Sequence, residues 1–161
     1  TIKIGNQWWM AENLKVEKYR DGTLVPKGLA DTTSWNHDTS GAYSTYDLPV
    51  PTPGLLYNWH AVNNSKGIAP VGWHVPSDEE WKTLEMHLGM NQSEADKTGF
   101  RGLDEGGKLK QQGVDYWSPY AEIWSNNESG FTALAGNCRM FDGKWGFPTD
   151  LRSTGFWWST T

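Results

Sequence analysis

Asn126, Asn127 and Glu128, which follow Trp124-Ser125, are the residues whose chemistry is easiest to name. Their side-chain oxygens, together with loop carbonyls, are the hard ligands that Ca²⁺ takes. The same asparagines can instead close a turn on their own backbone, and the sequence leaves both readings open. The other polar candidates have plainer roles. The four histidines, His37, His60, His74 and His87, offer no pair at the i, i+4 spacing of a helical zinc site, and no catalytic triad can be assembled around them. His74 reads as a hydrogen-bonded scaffold residue. Glu79, Glu80 and Glu85 could serve as acid and base. A glycosidase, however, needs two carboxylates flanking a cleft at a set separation, and no motif supplies such a pair. Cys138, the single cysteine, sits in an alternating apolar stretch and reads as a small buried hydrophobe rather than a reactive thiol.

The aromatic residues are the more unusual resource. The chain has 11 Trp in 161 residues. Each indole combines a large apolar surface with an N–H that wants a partner. They divide by position. Trp8, Trp59, Trp73, Trp81, Trp157 and Trp158 fall in motif-like or strand-like segments, and most of this group is expected in the core. Within an adjacent pair on a strand, the two rings must face opposite sides. Trp35, Trp117, Tyr120, Trp124 and Trp145 fall in loops or hairpin tips. Exposed rings there would stack on sugar faces or contact a protein partner. The alternative, that such rings fold back over the core, is equally open.

The elements that must position these residues are short. Thr1–Met10 reads as two strands around a Gly5-Asn6 turn. Residues 27–53 read as a long loop, broken by a strand at Ala42–Tyr46. Pro49, Pro51 and Pro53 forbid a helix there. Leu55–Val62 is apolar and aromatic, and periodicity does not separate strand from helix in so short a run. The strongest local signal is Pro76-Ser77-Asp78-Glu79-Glu80-Trp81, a capping box in which Ser77 and Glu80 satisfy one another's backbone N–H groups. Glu79 there suits the helix dipole. Trp81, Leu84 and Leu88 then share one helical face and Gly89 ends it, which predicts a helix over Asp78–Leu88. Leu103–Gln112 is a weaker helical stretch, because Gly106-Gly107 costs roughly 1 kcal/mol per glycine. Asp115–Ser129 is polar and aromatic loop. Short strands are predicted at Phe131–Leu134, Cys138–Phe141, Lys144–Trp145 and Phe156–Ser159, with Asp142-Gly143 as a two-residue hairpin turn.

Length and composition bound the rest. A chain of 161 residues fits a single domain over 1–161. It can bury roughly two-thirds of its unfolded surface without metal or disulfide staples. Net charge is −5 with no basic cluster, which speaks against nucleic acid and anionic membranes as partners. No apolar run approaches the ~20 residues of a membrane span, so no direct membrane insertion is expected. No signal peptide is visible, and Thr1 leads straight into strand-like sequence, as in a mature or excised piece.

Five stretches in order, Trp9-Met10-Ala11-Glu12-Asn13-Leu14, Leu56-Tyr57-Asn58-Trp59, Gly72-Trp73-His74-Val75-Pro76-Ser77-Asp78-Glu79-Glu80-Trp81, Glu128-Ser129-Gly130-Phe131-Thr132-Ala133-Leu134 and Trp157-Trp158-Ser159-Thr160-Thr161, resemble the Fibrobacter succinogenes major paralogous domain, a family of bacterial surface and secreted proteins. Val75–Trp81 is more distantly similar to the helix start of the formylglycine-generating enzymes, whose fold is C-type-lectin-like. The resemblance therefore implies an α+β, C-type-lectin-like architecture: short antiparallel strands, one or two helices and long loops. It also implies a secreted or cell-surface location. In such a fold calcium sites lie in loops comparable to Asn126–Glu128, while the lectin sugar-binding motifs are not matched. Cys138 falls in no motif of the formylglycine-generating enzymes, so their activity does not carry over. The family usually runs on beyond the Trp-Trp-Ser motif to a "GFSVRC"-like segment. The chain is accordingly expected to be truncated at its C-terminus, with an edge there that a strand of a partner chain could complete. The functional expectation is a non-enzymatic binding domain for a glycan or protein, used as an adhesin-like surface module. The alternatives are a structural or assembly subunit completed by strand addition and, behind it, a polysaccharide hydrolase.

Overall fold

The structure, a computed structural model, describes residues 1–28, 39–46, 54–122, 124–140, 143–144, 146 and 152–161. It opens with a hairpin of β1 (Ile2–Ile4) and β2 (Gln7–Trp9). Their antiparallel register pairs Ile2 with Trp9, Lys3 with Trp8 and Ile4 with Gln7. The turn is Gly5-Asn6, as its sequence predicts. Gly5 takes φ +58°, the positive angle that a two-residue hairpin asks of its first central residue and that glycine adopts without steric cost. Strand alternation then puts Trp9 in the core and Trp8 in solvent.

A second pair, β3 (Tyr43–Ser44) and β4 (Leu56–Tyr57), is also antiparallel. β3 falls inside the strand expected at Ala42–Tyr46. The ambiguous Leu55–Val62 run resolves into both alternatives, with β4 followed at once by α1 (Trp59–Val62). Asn58 makes the switch possible. Its Oδ1 accepts from the Ala61 N–H at 2.9 Å, capping α1, and from the Ala42 N–H at 2.9 Å, tying the cap to the strand pair.

The main helix, α2 (Asp78–His87), starts at Ser77 with the complete capping box. Such a cap stabilises a helix by about 1 kcal/mol. Leu84 is fully buried and Leu88 nearly so, while Trp81 packs half-buried on the same side. Shorter helices follow: α3 (Gln92–Ala95), capped by Asn91, then α4 (Glu105–Leu109) and α5 (Pro119–Glu122). α4 is the remnant of the weak helix expected over Leu103–Gln112. Its glycine at 107 serves close packing, since a Cβ there would lie 2.1 Å from the Trp124 carbonyl oxygen.

The C-terminal third departs from expectation. Phe131–Leu134 contributes only a single parallel bridge, Lys110 with Ala133. Phe156–Ser159 forms no strand. The reason is that ring and side-chain contacts, rather than a backbone ladder, dock these segments. The Trp81 indole donates to the Trp158 carbonyl at 3.3 Å. The expected hairpin has paired flanks: the Met140 N–H donates to the Lys144 carbonyl and the Gly146 N–H to the Cys138 carbonyl, both at 2.9 Å. Phe141, Asp142 and Trp145 lie outside the described residues. Cys138 is part-buried, and burial pushes its thiol pKa up, which suits the apolar reading.

The arrangement is α+β, with a few short antiparallel strands. Five helices among the described residues exceed the one or two expected. Four of them span only one turn or so, too short to leave a periodic signal. Apolar burial divides into two clusters. One gathers Ile4, Trp9, Leu84, Leu88, Trp117, Phe131 and Ala133. The other gathers Tyr19, Val25, Tyr43, Ala61 and Ile68. No helix among the described residues is long and apolar enough to cross a membrane.

Candidate functional site

A cleft of about 1170 Å³ draws on residues of both clusters. That is slightly above the ~300–1,000 Å³ typical of small-molecule sites. From the first cluster it borrows Trp9, Trp81 and Phe131, whose rings form a contiguous set. The Trp9 and Trp81 centroids are 4.8 Å apart, and Phe131 sits 5.8 Å from Trp9. From the second it borrows Ile68, with Leu14, Leu55, Tyr57 and Val75 packed around that cluster.

The exposed aromatic residues of the cleft are Trp8, Trp59, Phe156, Trp157 and Trp158. Local and long-range contacts place four of them. Trp8 is 63 % exposed because β2 alternates and Trp9 takes the inner face. Trp59 begins α1 directly after the Asn58 cap. Trp157 and Trp158 are held by their N–H groups: Trp157 Nε1 donates to Asn13 Oδ1 at 3.1 Å, and Trp158 Nε1 to the Tyr57 carbonyl at 2.8 Å. Trp158 also leans on Trp59, with centroids 5.7 Å apart and planes at 48°. Anchored rings lose little freedom when a ligand arrives, which favours binding.

His74 and Glu80 line the cleft as a bonded pair. His74 Nε2 lies 2.7 Å from Glu80 Oε1. The other oxygen of Glu80 accepts from the Ser77 N–H at 2.8 Å. That backbone bond is the main reason the Glu80 carboxyl sits below its ordinary pKa; burial opposes it, and bonds from His74 and the Ser77 hydroxyl reinforce it. His74 is thus hydrogen-bonded as expected, but at an exposed position. Glu79 pairs with Lys82 at 3.0 Å and Glu85 with Arg101 at 2.9 Å.

Among the described residues, those singled out in the sequence for binding are not brought together here. Trp35 and Trp145 lie outside the described residues. Trp117 corrects the expectation of an exposed loop ring. It is 2 % exposed, its indole donates to the Ala133 carbonyl at 3.0 Å, and Lys110 Nζ stands 4.8 Å from its ring centroid. Lys110, part-buried against it, has its ammonium pKa lowered by that burial. Tyr120 and Trp124 are exposed, but neither lines the cleft.

Asn126, Asn127 and Glu128 form a tight turn. Asn126 Oδ1 accepts from the Glu128 N–H at 3.0 Å, and Asn127 Oδ1 from the Thr132 N–H at 2.9 Å. Asn127 itself takes φ +49°, a left-handed conformation that Asn tolerates better than most residues. Both carboxamide oxygens considered for calcium are therefore engaged by backbone. No cluster of three His, Cys, Asp or Glu side chains among the described residues is placed to hold a metal ion.

The cleft was partly legible. Two adjacent Trp on a strand require one ring to face outward, and that signal points at Trp8. Nothing local marks Trp59 or Trp158 as exposed, because their exposure depends on segments distant in sequence. The chain matches no curated protein and no solved structure at a significant level. It does match the model of one family over residues 2–161. By that match, which takes in the tryptophan-lined cleft and the capped helix beside it, the chain belongs to the Fibrobacter succinogenes major domain family.

Proposed function

We propose that this is a non-enzymatic binding domain of the bacterial cell surface or secretome, and that its tryptophan-lined cleft holds a glycan. The cleft itself carries the reading: pre-anchored indoles present apolar faces to a space of about 1170 Å³. The C–H faces of sugars stack on the electron-rich faces of aromatic rings. Within the α+β frame, the short hairpin, the single long capped helix and the extensive loops favour a C-type-lectin-like architecture. The surface location rests on the sequence resemblance alone.

A non-catalytic role is favoured by the employment of the carboxylates. Of the two carboxylates that line the cleft, Glu80 is held by Ser77 and His74, and Glu12 pairs with Lys15 at 3.6 Å. Hydrolysis would need a carboxylate pair across the cleft. The deciding measurement is a glycan array read with the native chain and with Trp8→Ala and Trp158→Ala. Binding lost in both variants supports the reading. Absence of binding to every glycan, or binding indifferent to both changes, sinks it.

A second reading, an assembly subunit completed by a strand from another chain, has its own support. Trp157, Trp158 and Ser159 form no strand and make no backbone-to-backbone hydrogen bond among the described residues, although the Trp158 carbonyl accepts from the Trp81 indole. Such a segment can accept a strand. Light scattering across a concentration series tests it, and a strict monomer that captures no partner strand leaves it unsupported.

A further inference from the structure

The rings of the cleft do not share a plane. Trp59 and Trp158 meet at 48° and form a corner, and Trp157 meets Phe131 edge-on at 77°. The indole anchors on Asn13 and the Tyr57 carbonyl fix these tilts. A crystalline polysaccharide presents a flat face, which only coplanar rings on a flat surface can cover. Tilted rings in a concave site instead meet a ligand from more than one side, as a separate chain allows.

The charges narrow the ligand further. The carboxylate, imidazole and guanidinium groups along the cleft are those of Glu12, His60, His74, Glu80 and Arg139, and no lysine lines it among the described residues. The Arg139 guanidinium donates to the Gly143 carbonyl and to Ser44 Oγ, each at 3.1 Å. A polyanion would meet two carboxylates on a chain of net charge −5, with no cluster of cations to neutralise it.

Resting on the glycan reading, we infer that the cleft takes a single soluble chain of a neutral glycan, in preference to a crystalline polysaccharide face or an acidic polysaccharide. The probes are soluble cello- and mannohexaose, microcrystalline cellulose and polygalacturonate, each applied to the full chain. Soluble binding is followed by tryptophan fluorescence and calorimetry, and the solid by pull-down. A neutral hexaose is expected to bind, with Kd little changed between about 0.05 and 0.5 M salt. Trp8→Ala or Trp59→Ala should weaken it roughly tenfold, the loss expected of one stacked ring. Trp124→Ala, outside the cleft, should leave it unchanged.

Retention on microcrystalline cellulose without soluble binding overturns the single-chain inference. Salt-sensitive binding of polygalacturonate in preference to the hexaoses overturns the neutral one. Both outcomes leave the glycan reading standing. Silence towards all four probes and a broad glycan array overturns that reading, and this inference with it.

Discussion

Trp117 and Trp158 hold their indoles in the same way and end in opposite environments. Each donates its N–H to a backbone carbonyl distant in sequence, Ala133 at 3.0 Å and Tyr57 at 2.8 Å. Yet Trp117 is sealed in the first cluster, whereas Trp158 is 45 % exposed at the cleft. The difference is in what covers the faces of the ring. Around Trp117, Lys110 closes over the ring while the segment at Ala133 supplies its acceptor. Beside Trp158, Trp59 supports the ring at an angle and open space remains. An anchored N–H therefore fixes a ring without burying it. The region around Trp117 uses that to stabilise the fold, and the cleft uses it to present surface.

The sharpest way to break this comparison is to remove each ring. Trp117→Ala should cost about 3–5 kcal/mol, the range for large aromatic deletions in a core, read as a fall in denaturation midpoint at constant m. Trp158→Ala should cost markedly less. Equal losses would mean the two rings play the same structural part. Next in size is the turn that ties Asn127 to Thr132. Asn127→Ala should cost about 1–3 kcal/mol, since it leaves the Thr132 N–H without its acceptor, while Asn127→Gly should cost less because glycine accepts the positive φ. If alanine and glycine behave alike, the left-handed backbone is not what selects Asn there.

The wall of the cleft offers a smaller effect. Ser77→Ala should destabilise by about 1 kcal/mol through the lost cap. The Glu80 carboxyl is held below its ordinary pKa of 4.5. Its contribution is therefore present above that value and lost as pH falls through the lower folded value. Glu80→Gln should flatten the acid side of the stability profile below the ordinary carboxylate value of 4.5, measured by denaturation at each pH. An unchanged profile would show that the cap does not depend on the charge.

Smaller still, Trp8→Ala should change stability by no more than ~0.5 kcal/mol, as expected for an exposed position, while weakening ligand binding. A large stability loss would place Trp8 in the scaffold and not in the site. Last, millimolar Ca²⁺ should leave Tm unchanged, because the Asn126 and Asn127 oxygens already hold backbone N–H groups. A rise in Tm that Asn127→Ala abolishes would reassign this turn as a calcium site.

Local chemistry was readable where local forces decide. The Gly5-Asn6 hairpin and the Ser77–Glu80 box need only neighbours within a few residues, and both stand where the sequence puts them. The Leu55–Val62 run was ambiguous for a real reason: it is strand and helix in turn, divided by an asparagine that caps the helix and accepts from the Ala42 N–H beside β3. The strand-like pattern reports the buried face of Phe131–Leu134 correctly, whereas Phe156, Trp157 and Trp158 all stay exposed. The pattern does not report that rings and side chains, rather than a ladder, would dock these segments.

The sequence alone determined the family, the opening hairpin and the capped helix, and it required that one ring of the Trp8-Trp9 pair face out. Tertiary structure alone decided which other tryptophans are buried. A ring is covered or left open by segments far away in the chain: Ala133 and Lys110 for Trp117, Tyr57 and Trp59 for Trp158. Burial is a property of those long-range contacts, and a residue's own neighbours do not encode it.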